Sequence, residues 1–315
     1  MNGEAEVLNE FSNLLNMRNN ERARILLEQF SEKYNSAKVL NNLGWFYMHI
    51  GTCCGDAMKP DYLKAVEYLK RAAKMSDNIH QPYTNLGYAY TKLKKYDDAQ
   101  NALINSVNIE HSIINQNNLA YCLYKNGLYV EAEGIIDILL NEIKNMNIFE
   151  IVKKSKYSLN NLCIFVLLYN EVCIKAKLQK YNEIDQTMIE LLDCYKMNLI
   201  DISDVDILDI IFLYYISGNY EMVVKLFPEQ GYSIDEKSFI VYMISLLKQG
   251  IEPKQYYEKI ISDIKSESED FSTLAKVKYQ DRINNMANIY KLLLKGKYPD
   301  INIYPHEIES NYIFF

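Results

Sequence analysis

The chain has 315 residues, of which 49% are hydrophobic, and its formal net charge at pH 7 is −7. This apolar fraction is enough for a large buried core, and the lack of a basic tract argues against general binding of nucleic acid through its phosphates. Only 11 glycines and 6 prolines interrupt the sequence, which favours long helices with short connections over a sheet with many tight turns.

The N-terminus is acidic and lacks a basic segment followed by an apolar run, so it is not typical of a secretory signal. The longest apolar runs, such as residues 239–247, are too short to cross a bilayer and are typical of buried helix faces. The six cysteines form no CxxC pair, which favours reduced, buried thiols. These features predict a cytoplasmic protein with no membrane partner.

Three related stretches recur in the first half of the chain. They read NNLGWFY from Asn41, TNLGYAY from Thr84 and NNLAYCLY from Asn117. Each precedes a second segment with a Tyr-x-x-Ala pattern, and the second and third copies align at a period of about 33 residues, which indicates a repeat architecture. In the first copy, an insertion at residues 52–60 separates the two segments. The aligned small residues are Gly44, Gly87 and Ala120 in the first segment and Ala65, Ala99 and Ala132 in the second.

The repeated pattern predicts a hairpin of two helices, A and B. A leucine, a small residue and an aromatic at these spacings share one face of helix A. The small residue lets helix B cross closely, and the alanine of helix B is the reciprocal small contact. Because a single hairpin leaves apolar surface on both sides, such hairpins stack into a solenoid.

Residues 82–107 and 115–140 resemble tetratricopeptide (TPR) repeats. Residues 37–75 resemble the Sel1-like variant, which has a longer A–B loop and an Asp-x-x-Lys-Ala start to helix B, here Asp61 to Ala65. The resemblance implies an all-α fold, a right-handed α-solenoid of antiparallel helix hairpins. It implies further that the free face of helix A lines a concave groove.

The sequence predicts a single α-solenoid over residues 1–315. Residues 1–36 form a degenerate N-terminal hairpin with Ala23 in the helix B position, and residues 37–141 hold the clear repeats. Residues 142–298 are divergent helical repeats, with a turn near Gln179 to Asn182 and another at Gly218 to Tyr220. Residues 299–315 form a C-terminal tail that caps the last helix or docks in a groove.

The groove face of helix A carries three recurring rows of side chains. The first row is asparagine, the second is aromatic, and the third is a cation or histidine. An asparagine amide can pair with a peptide backbone through both its donor and its acceptor, so these rows can hold an extended chain. The candidate partner-binding residues are Lys38, Asn41, Asn42, Trp45, His49, Asn85, Tyr88, Lys92, Asn117, Asn118, Tyr121 and Lys125.

Two alternatives stand beside this interpretation of the asparagines: they solvate the helix, or they bond a neighbouring helix. Lys38, Asn42 and Asn85 match the start of the carboxylate clamp found in peptide-binding members of the family. The later basic pair of that clamp would fall at Ile114 and Asn118, which are not basic. The chain therefore departs from the complete clamp, which argues against partners of that class.

No pattern of catalysis or metal binding stands out. His49 with Cys53 and Cys54 lacks an evident fourth zinc ligand, and the sequence has no GxSxG, P-loop, GxGxxG or HExxH motif. We therefore expect no catalytic residues, no metal and no cofactor. An acidic stretch at residues 182–209 is either a solvated face or a patch for a basic partner.

These observations favour a non-enzymatic module that holds an extended peptide or partner segment in its concave groove. The first alternative is a structural scaffold that assembles a larger complex through its convex or acidic surface. The second is a signalling-peptide receptor without a DNA-binding domain, since residues 1–36 are too short and too acidic for one. An enzyme ranks below all three, and the expected partner is a protein or peptide rather than nucleic acid.

Overall fold

The computed structural model describes residues 2–54, 57–75, 78–145, 159–196, 207–230, 235–268 and 273–299. These residues form helical hairpins in two compact units, one within residues 2–145 and one within residues 159–299. The predicted all-α solenoid fold is confirmed. In the described part of the chain, no helix is long and apolar enough to span a membrane.

The first unit is a stack of four helical hairpins, in which each helix packs against the next along the chain. Helices α3, α5 and α7 are the A helices of the predicted repeats, and α4, α6 and α8 are the B helices. A short antiparallel pair, β1 (Thr52–Cys54) and β2 (Ala57–Lys59), lies in the predicted insertion between α3 and α4. The helices are α1 Asn2–Asn16, α2 Asn20–Lys33, α3 Ala37–His49, α4 Tyr62–Lys74, α5 Gln81–Lys92, α6 Tyr96–Ile109, α7 Ile113–Lys125 and α8 Tyr129–Asn145.

Side-chain caps fix where several of these helices begin. The Asp61 carboxylate accepts a hydrogen bond of 3.0 Å from the backbone N–H of Lys64, at the start of α4. Ser36 and Ser112 cap α3 and α7 in the same way. Each cap satisfies an N–H group that has no partner within the helix, so these polar residues define where the three helices begin.

Close helix crossing in the first unit depends on two glycines. A Cβ atom placed on Gly44 would overlap Cγ of Leu69 on α4, and one on Gly87 would overlap Cγ of Leu103 on α6. The prediction that small residues of the A helices allow the B helices to approach is thereby confirmed. The helix B alanines are fully buried as expected, but each glycine meets the leucine one turn beyond the alanine.

The A helices end in a common turn geometry. Arg18, Lys94 and Gly127 follow α1, α5 and α7, and each has a left-handed backbone with φ between 55° and 82°. The N–H of the next residue then bonds back to a carbonyl of the last helical turn, as from Leu128 to Leu123 at 2.9 Å. This is the Schellman arrangement, in which glycine is favoured because it has no Cβ.

The second unit continues the hairpin pattern, and its α9, α11 and α13 are rich in apolar residues. Its core includes a stacked pair, Phe227 and Tyr242, with ring centroids 3.9 Å apart. A second stacked pair joins Tyr257 and Tyr290 at 4.2 Å. Short 3-10 turns span Tyr181–Glu183 and Phe227–Gln230. The helices are α9 Leu159–Lys177, α10 Asp185–Lys196, α11 Ile207–Ile216, α12 Tyr220–Leu226, α13 Glu236–Lys248, α14 Lys254–Ser268 and α15 Thr273–Leu293.

The turns of this unit lie where the sequence predicts them. Gln179 lies in the turn that follows α9 and has φ 59°. Gly218 lies between α11 and α12 and has φ 80°. Both are closed by a 2.9 Å backbone bond from the following residue. The single continuous solenoid over residues 1–315 stays a prediction. The predicted tail, apart from its first residue Pro299, lies outside the described residues.

Candidate functional site

The candidate residues, apart from Asn41 and Asn117, share one face of the A helices. In an α-helix each residue rotates the side chain by about 100°, so Asn42 lies about 160° around α3 from Gly44. Since Gly44 faces α4, Asn42 lies on the opposite side. The same spacing separates Asn85 from Gly87 on α5 and Asn118 from Ala120 on α7. Trp45, His49 and their counterparts lie beside the asparagines on this face.

We call one set of side chains on this face the aromatic–cation ladder. The ring of His49 lies 5.0 Å from Trp45 on the same helix and 5.7 Å from Tyr88 on α5. The Lys92 ammonium lies 4.7 Å from the centre of the Tyr88 ring. On α7 the Lys125 ammonium lies 5.5 Å from the Tyr121 ring. The ladder comprises Trp45, His49, Tyr88, Lys92, Tyr121 and Lys125.

The ladder is partly open to solvent. Lys92 is exposed, and its other five members are half-buried. Lys38, at the start of α3, is exposed as well. Aromatic faces attract cations through the ring quadrupole, which holds each lysine head over its tyrosine. The surface therefore presents positive charge and aromatic area side by side.

The candidate asparagines of the A helices are buried rather than exposed. Asn41, Asn42 and Asn117 are 0% exposed, Asn85 is 1% and Asn118 is 7%. The Asn85 amide donates a 2.9 Å hydrogen bond from Nδ2 to Oδ1 of Asn41 on the neighbouring A helix. The alternative that an asparagine bonds a neighbouring helix is thus confirmed for this pair. Partner binding by the row stays a prediction.

A buried polar network lies at the start of α5, and the sequence did not predict it. The Asn115 amide donates to Nδ1 of His80 at 3.2 Å and to the carbonyl of Glu110 at 3.0 Å. Thr84 Oγ1 donates to Asn115 Oδ1 at 3.1 Å and lies 2.5 Å from the Ser106 hydroxyl. Thr84 stands where the other two repeats have Asn41 and Asn117. This departure from the repeat was the signal in the sequence.

Burial sets the protonation of His80 within this network. His80 is 5% exposed, and its Nε2 pairs with the Glu110 carboxylate. Desolvation lowers the pKa of His80, and the nearby Glu110 charge opposes that effect in part. The neutral ring fits the contacts, because Nε2–H donates to Glu110 while Nδ1 accepts from Asn115.

A second polar cluster joins α2, α3 and α4. The Tyr47 hydroxyl donates to Glu28, which also pairs with Arg24 and lies 3.4 Å from the Lys64 ammonium. Burial, then the bond to Glu28, raises the pKa of Tyr47, so the phenol stays protonated. A cleft of about 350 Å³ beside this cluster is lined by Glu28, Ser31, Glu32, Lys64, Tyr68 and Arg71.

This cluster holds helices together rather than activating a reactive group. Tyr47 stacks on Tyr68 with ring centroids 5.7 Å apart, and Lys64 lies 4.4 Å from the Tyr47 ring. The charges of opposite sign are paired within the cluster, so the cleft offers little net charge to a ligand. We interpret it as a structural contact between the first two hairpins.

The buried thiols are poor nucleophiles. Desolvation raises the pKa of Cys122 to about 11, and it raises the pKa of Cys173 still further. Because the thiolate is the reactive form, these two side chains are unreactive at neutral pH. Within the described ranges, no group of three or more histidine, cysteine, aspartate or glutamate side chains lies close enough to hold a metal ion.

Comparison with known proteins gives a fold but no family. No protein-family model matches the chain, and no curated protein matches it. A tetratricopeptide repeat protein from Parabacteroides merdae aligns over 93% of this chain and 100% of its own, with a TM-score of 0.53 and 14% identity. The complex of Naa15/Naa10 bound to HypK-THB aligns over 90% of this chain and 40% of the matched chain, with a TM-score of 0.39 and 15% identity.

The first likeness confirms the TPR type of helical repeat predicted from residues 37–141. At 14% identity the likeness extends to the fold alone. The Sel1-like character of residues 37–75 stays a prediction, although the long A–B connection and the Asp61 cap that suggested it are both present.

Proposed function

We propose that this TPR-type fold serves as a non-enzymatic module that binds an extended peptide or partner segment along the A helices of its first unit, in the cytoplasm. One observation carries the proposal: the aromatic–cation ladder recurs in register on α3, α5 and α7. Equivalent side chains on consecutive repeats give a ligand the same contact at each step along its length. An extended chain is the ligand that uses such periodic contacts.

The chemistry of the ladder indicates what the ligand carries. Lys38, Lys92 and Lys125 favour carboxylates, while Trp45, Tyr88 and Tyr121 favour apolar or aromatic side chains. The network of Asn41 and Asn85 beneath the ladder holds α3 and α5 in register, so the contacts are preorganised. We therefore expect an acidic, aromatic sequence as the preferred ligand.

The proposal is tested by selecting peptides on the protein. A random-peptide phage library is panned on the full chain, and the best peptide is measured by isothermal titration calorimetry. We expect acidic and aromatic residues in the selected peptides and a dissociation constant about tenfold higher for Lys92→Glu. The matched control is Lys74→Glu, an exposed lysine at the end of helix α4. Equal affinity of the Lys92→Glu and Lys74→Glu variants would exclude the ladder as the site.

A signalling-peptide receptor is a special case of the same proposal, in which the ligand is a short free peptide. The two cases are distinguished by comparing the affinity for a full-length partner protein with the affinity for the isolated selected peptide. A receptor binds the free peptide as tightly as any protein that contains it. A partner-binding module binds the protein more tightly, since flanking residues add contact area.

A scaffold that uses the acidic surface is the second candidate. It is favoured by one face of α10, on which Asp185 and Asp193 are exposed one turn either side of Ile189. The Ile189 side chain is 53% exposed, so an apolar residue lies between two carboxylates. Ile189→Ser would abolish partner capture under this hypothesis and leave peptide binding to the ladder unchanged.

A further inference from the structure

Two polar links join consecutive A helices of the first unit, next to the ladder. Between α3 and α5 the link is the 2.9 Å hydrogen bond from Asn85 to Asn41. Between α5 and α7 it is the His80 network, in which His80, the N-cap of α5, and Thr84 both contact Asn115 of α7. Of these two links, only the second contains a side chain that titrates near neutral pH.

The orientation of the Asn115 amide is fixed from two sides. Its Nδ2 donates a 3.0 Å hydrogen bond to the backbone carbonyl of Glu110, a group that can only accept. Its Oδ1 accepts from Thr84 Oγ1 at 3.1 Å. Turning the amide over would set Oδ1 against the Glu110 carbonyl oxygen. The Nδ2 group is therefore the one that faces Nδ1 of His80, at 3.2 Å.

This orientation is compatible with only one form of the His80 ring. Because Nδ1 faces a donor, it must accept and carry no proton, while Nε2 carries the proton and donates to the Glu110 carboxylate. Protonation of Nδ1 would set two donors against each other. Thr84 Oγ1 lies 3.4 Å from Nδ1, beyond the usual hydrogen-bond range, so it does not compensate for a donor at 3.2 Å.

The surroundings of His80 also favour the neutral ring. The side chain is 5% exposed, and Thr84, Ser106 and Asn115 around it are buried and uncharged. Among the described residues, Glu110 is the charged group that acts on His80. Burial lowers the pKa of His80, and the Glu110 charge opposes that effect in part. Mild acid therefore adds a proton that the hydrogen bonds of the network do not accommodate.

The network lies close to the ladder on both helices. Thr84 precedes Tyr88 by about one turn of α5, and Asn115 precedes Tyr121 by six residues, or about 9 Å along α7. An extended ligand contacts Tyr88 and Tyr121 at consecutive steps, so its binding depends on the spacing between α5 and α7. Breaking the link between these helices lets that spacing vary.

We propose that His80 is a positioning residue for the ladder: the neutral ring holds α5 and α7 at the spacing that an extended ligand needs, and its protonation releases them. The inference rests on the proposed function, since it adds a regulation of the same surface. Ligand binding then favours the neutral ring, so affinity falls as the pH falls through the titration of His80. Because such coupling is reciprocal, a bound ligand lowers the pKa of His80.

The first test measures affinity against pH. A phage-selected peptide without histidine is titrated by calorimetry into the full-length wild type and His80→Gln between pH 7.5 and 5.0, with circular dichroism at each pH. The other ionisable groups, His49 of the ladder included, are common to both proteins. We expect the wild type to lose about fivefold more affinity than His80→Gln, since linkage allows at most about tenfold per pH unit. Parallel pH dependence would overturn the inference.

Two further variants test whether the geometry of the network causes the pH dependence. His111→Gln is the matched control, since His111 is exposed and lies just before α7, and it should keep the wild-type dependence. Asn115→Ala removes the donor that opposes a protonated Nδ1. It should bind more weakly at pH 7.5 and lose most of the dependence, although His80 is still present. Full wild-type dependence in Asn115→Ala would contradict the inference.

A second measurement needs no variant. The imidazole ¹⁵N shifts of His80 in the wild type report its tautomer, and we expect a neutral ring with the proton on Nε2 at pH 7. Saturating peptide is expected to lower the pKa of His80. A proton on Nδ1 at pH 7, or a pKa that the peptide leaves unchanged, would overturn the inference.

The two proposals fail in different ways. If peptide affinity falls in Lys92→Glu but shows no dependence on His80, the inference fails and the proposed function stands. If Lys92→Glu and Lys74→Glu bind the peptide equally, the ladder is not the site, and both fail.

Discussion

The A helices of the two units have the same turns but different faces. In the first unit, α3, α5 and α7 bury a row made of Asn42, Asn85 and Asn118. In the second, the buried residues of α9, α11 and α13 are mostly aliphatic and aromatic, as at residues 164–169 and 210–214. Helices α5 and α7 of the first set and all three of the second end in a Schellman turn with one left-handed residue. The turn is therefore common to both units, whereas the first unit adds buried asparagines at equivalent positions of its A helices.

Glycine is used differently in the two units as well. In the first, Gly44 and Gly87 lie within helices, where they admit a leucine of the facing helix. In the second, the described glycines are Gly218, Gly250 and Gly296, and all three have positive φ. Among the described glycines, only Gly44 and Gly87 of the first unit lie inside a helix at a close crossing. Glycine in the interior of a helix lowers the stability of that helix. The close packing of the two helices at Gly44 and Gly87 offsets this loss.

Filling the crossing point should give the largest effect. Gly87→Val places a Cβ and two methyl groups against Leu103, and we expect the free energy of unfolding to fall by about 3 kcal/mol, as overpacking and poor helix propensity add. Urea denaturation measures it. The control is Gly134→Ala on α8, where a new Cβ meets no atom within 4 Å and a gain of about 0.5–1 kcal/mol is expected.

An unchanged stability of Gly87→Val would show that α5 and α6 separate without cost. The difference between the units would then lie in the polar row alone, and the glycines would have no role in defining the repeat.

Removing one member of the polar row should have the next largest effect. Asn85→Ala deletes the donor that bonds Asn41 inside the core, at an expected cost of about 1–3 kcal/mol. Asn101→Ala is the matched control, since Asn101 is exposed on helix α6 and the change in helix propensity is the same. If both variants unfold at the same urea concentration, the bond between Asn85 and Asn41 does not stabilise the first unit.

The His80 network predicts a pH dependence specific to the first unit. Burial lowers the pKa of His80 in the folded chain, so the unfolded chain binds a proton first as the pH falls below about 6.5. The stability that neutral His80 provides is therefore full above that pH and declines below it, by at most about 1.4 kcal/mol per pH unit.

The measurement compares the wild type with His80→Gln over pH 7 to 5 by urea denaturation. The other ionisable groups are common to both proteins, so the difference between the two curves isolates the histidine. We expect the wild type to lose its advantage as the pH falls. Parallel curves would mean that folding leaves the pKa of His80 unchanged, and a growing advantage of the wild type would mean that Glu110 holds His80 protonated in the folded state.

Much of the fold follows from the sequence, because hairpins are defined by local rules. The recurrence of a small residue and an aromatic predicted α3, α5 and α7, and the break near Gln179 predicted the α9 turn. These features depend on contacts within or between adjacent helices, which repeat spacing reports directly. The β1–β2 pair was predicted only as an insertion, since residues 52–60 have no clear strand pattern.

The site could be predicted only in part. Spacing placed Trp45, Tyr88 and Lys92 on one helix face, where the structure also places them. Spacing does not report how deeply a face is covered, and the burial of Asn42 was not expected. The His80 network was missed for the same reason: it joins three helices through single residues, and no repeat pattern records such a contact.

The smallest expected effect tests what the two units share. Lys94 and Gln179 hold the left-handed turn position in the first and second unit, where glycine is favoured. We expect Lys94→Gly and Gln179→Gly each to raise the free energy of unfolding by about 0.5–1 kcal/mol, because relief of backbone strain exceeds the added entropy of the unfolded chain. Gly127→Ala, at φ 82°, should lower it by about 1 kcal/mol. A gain at Lys94 but not at Gln179 would show that the second unit tolerates its turn differently, so that even the shared hairpin geometry is held by separate means in the two halves.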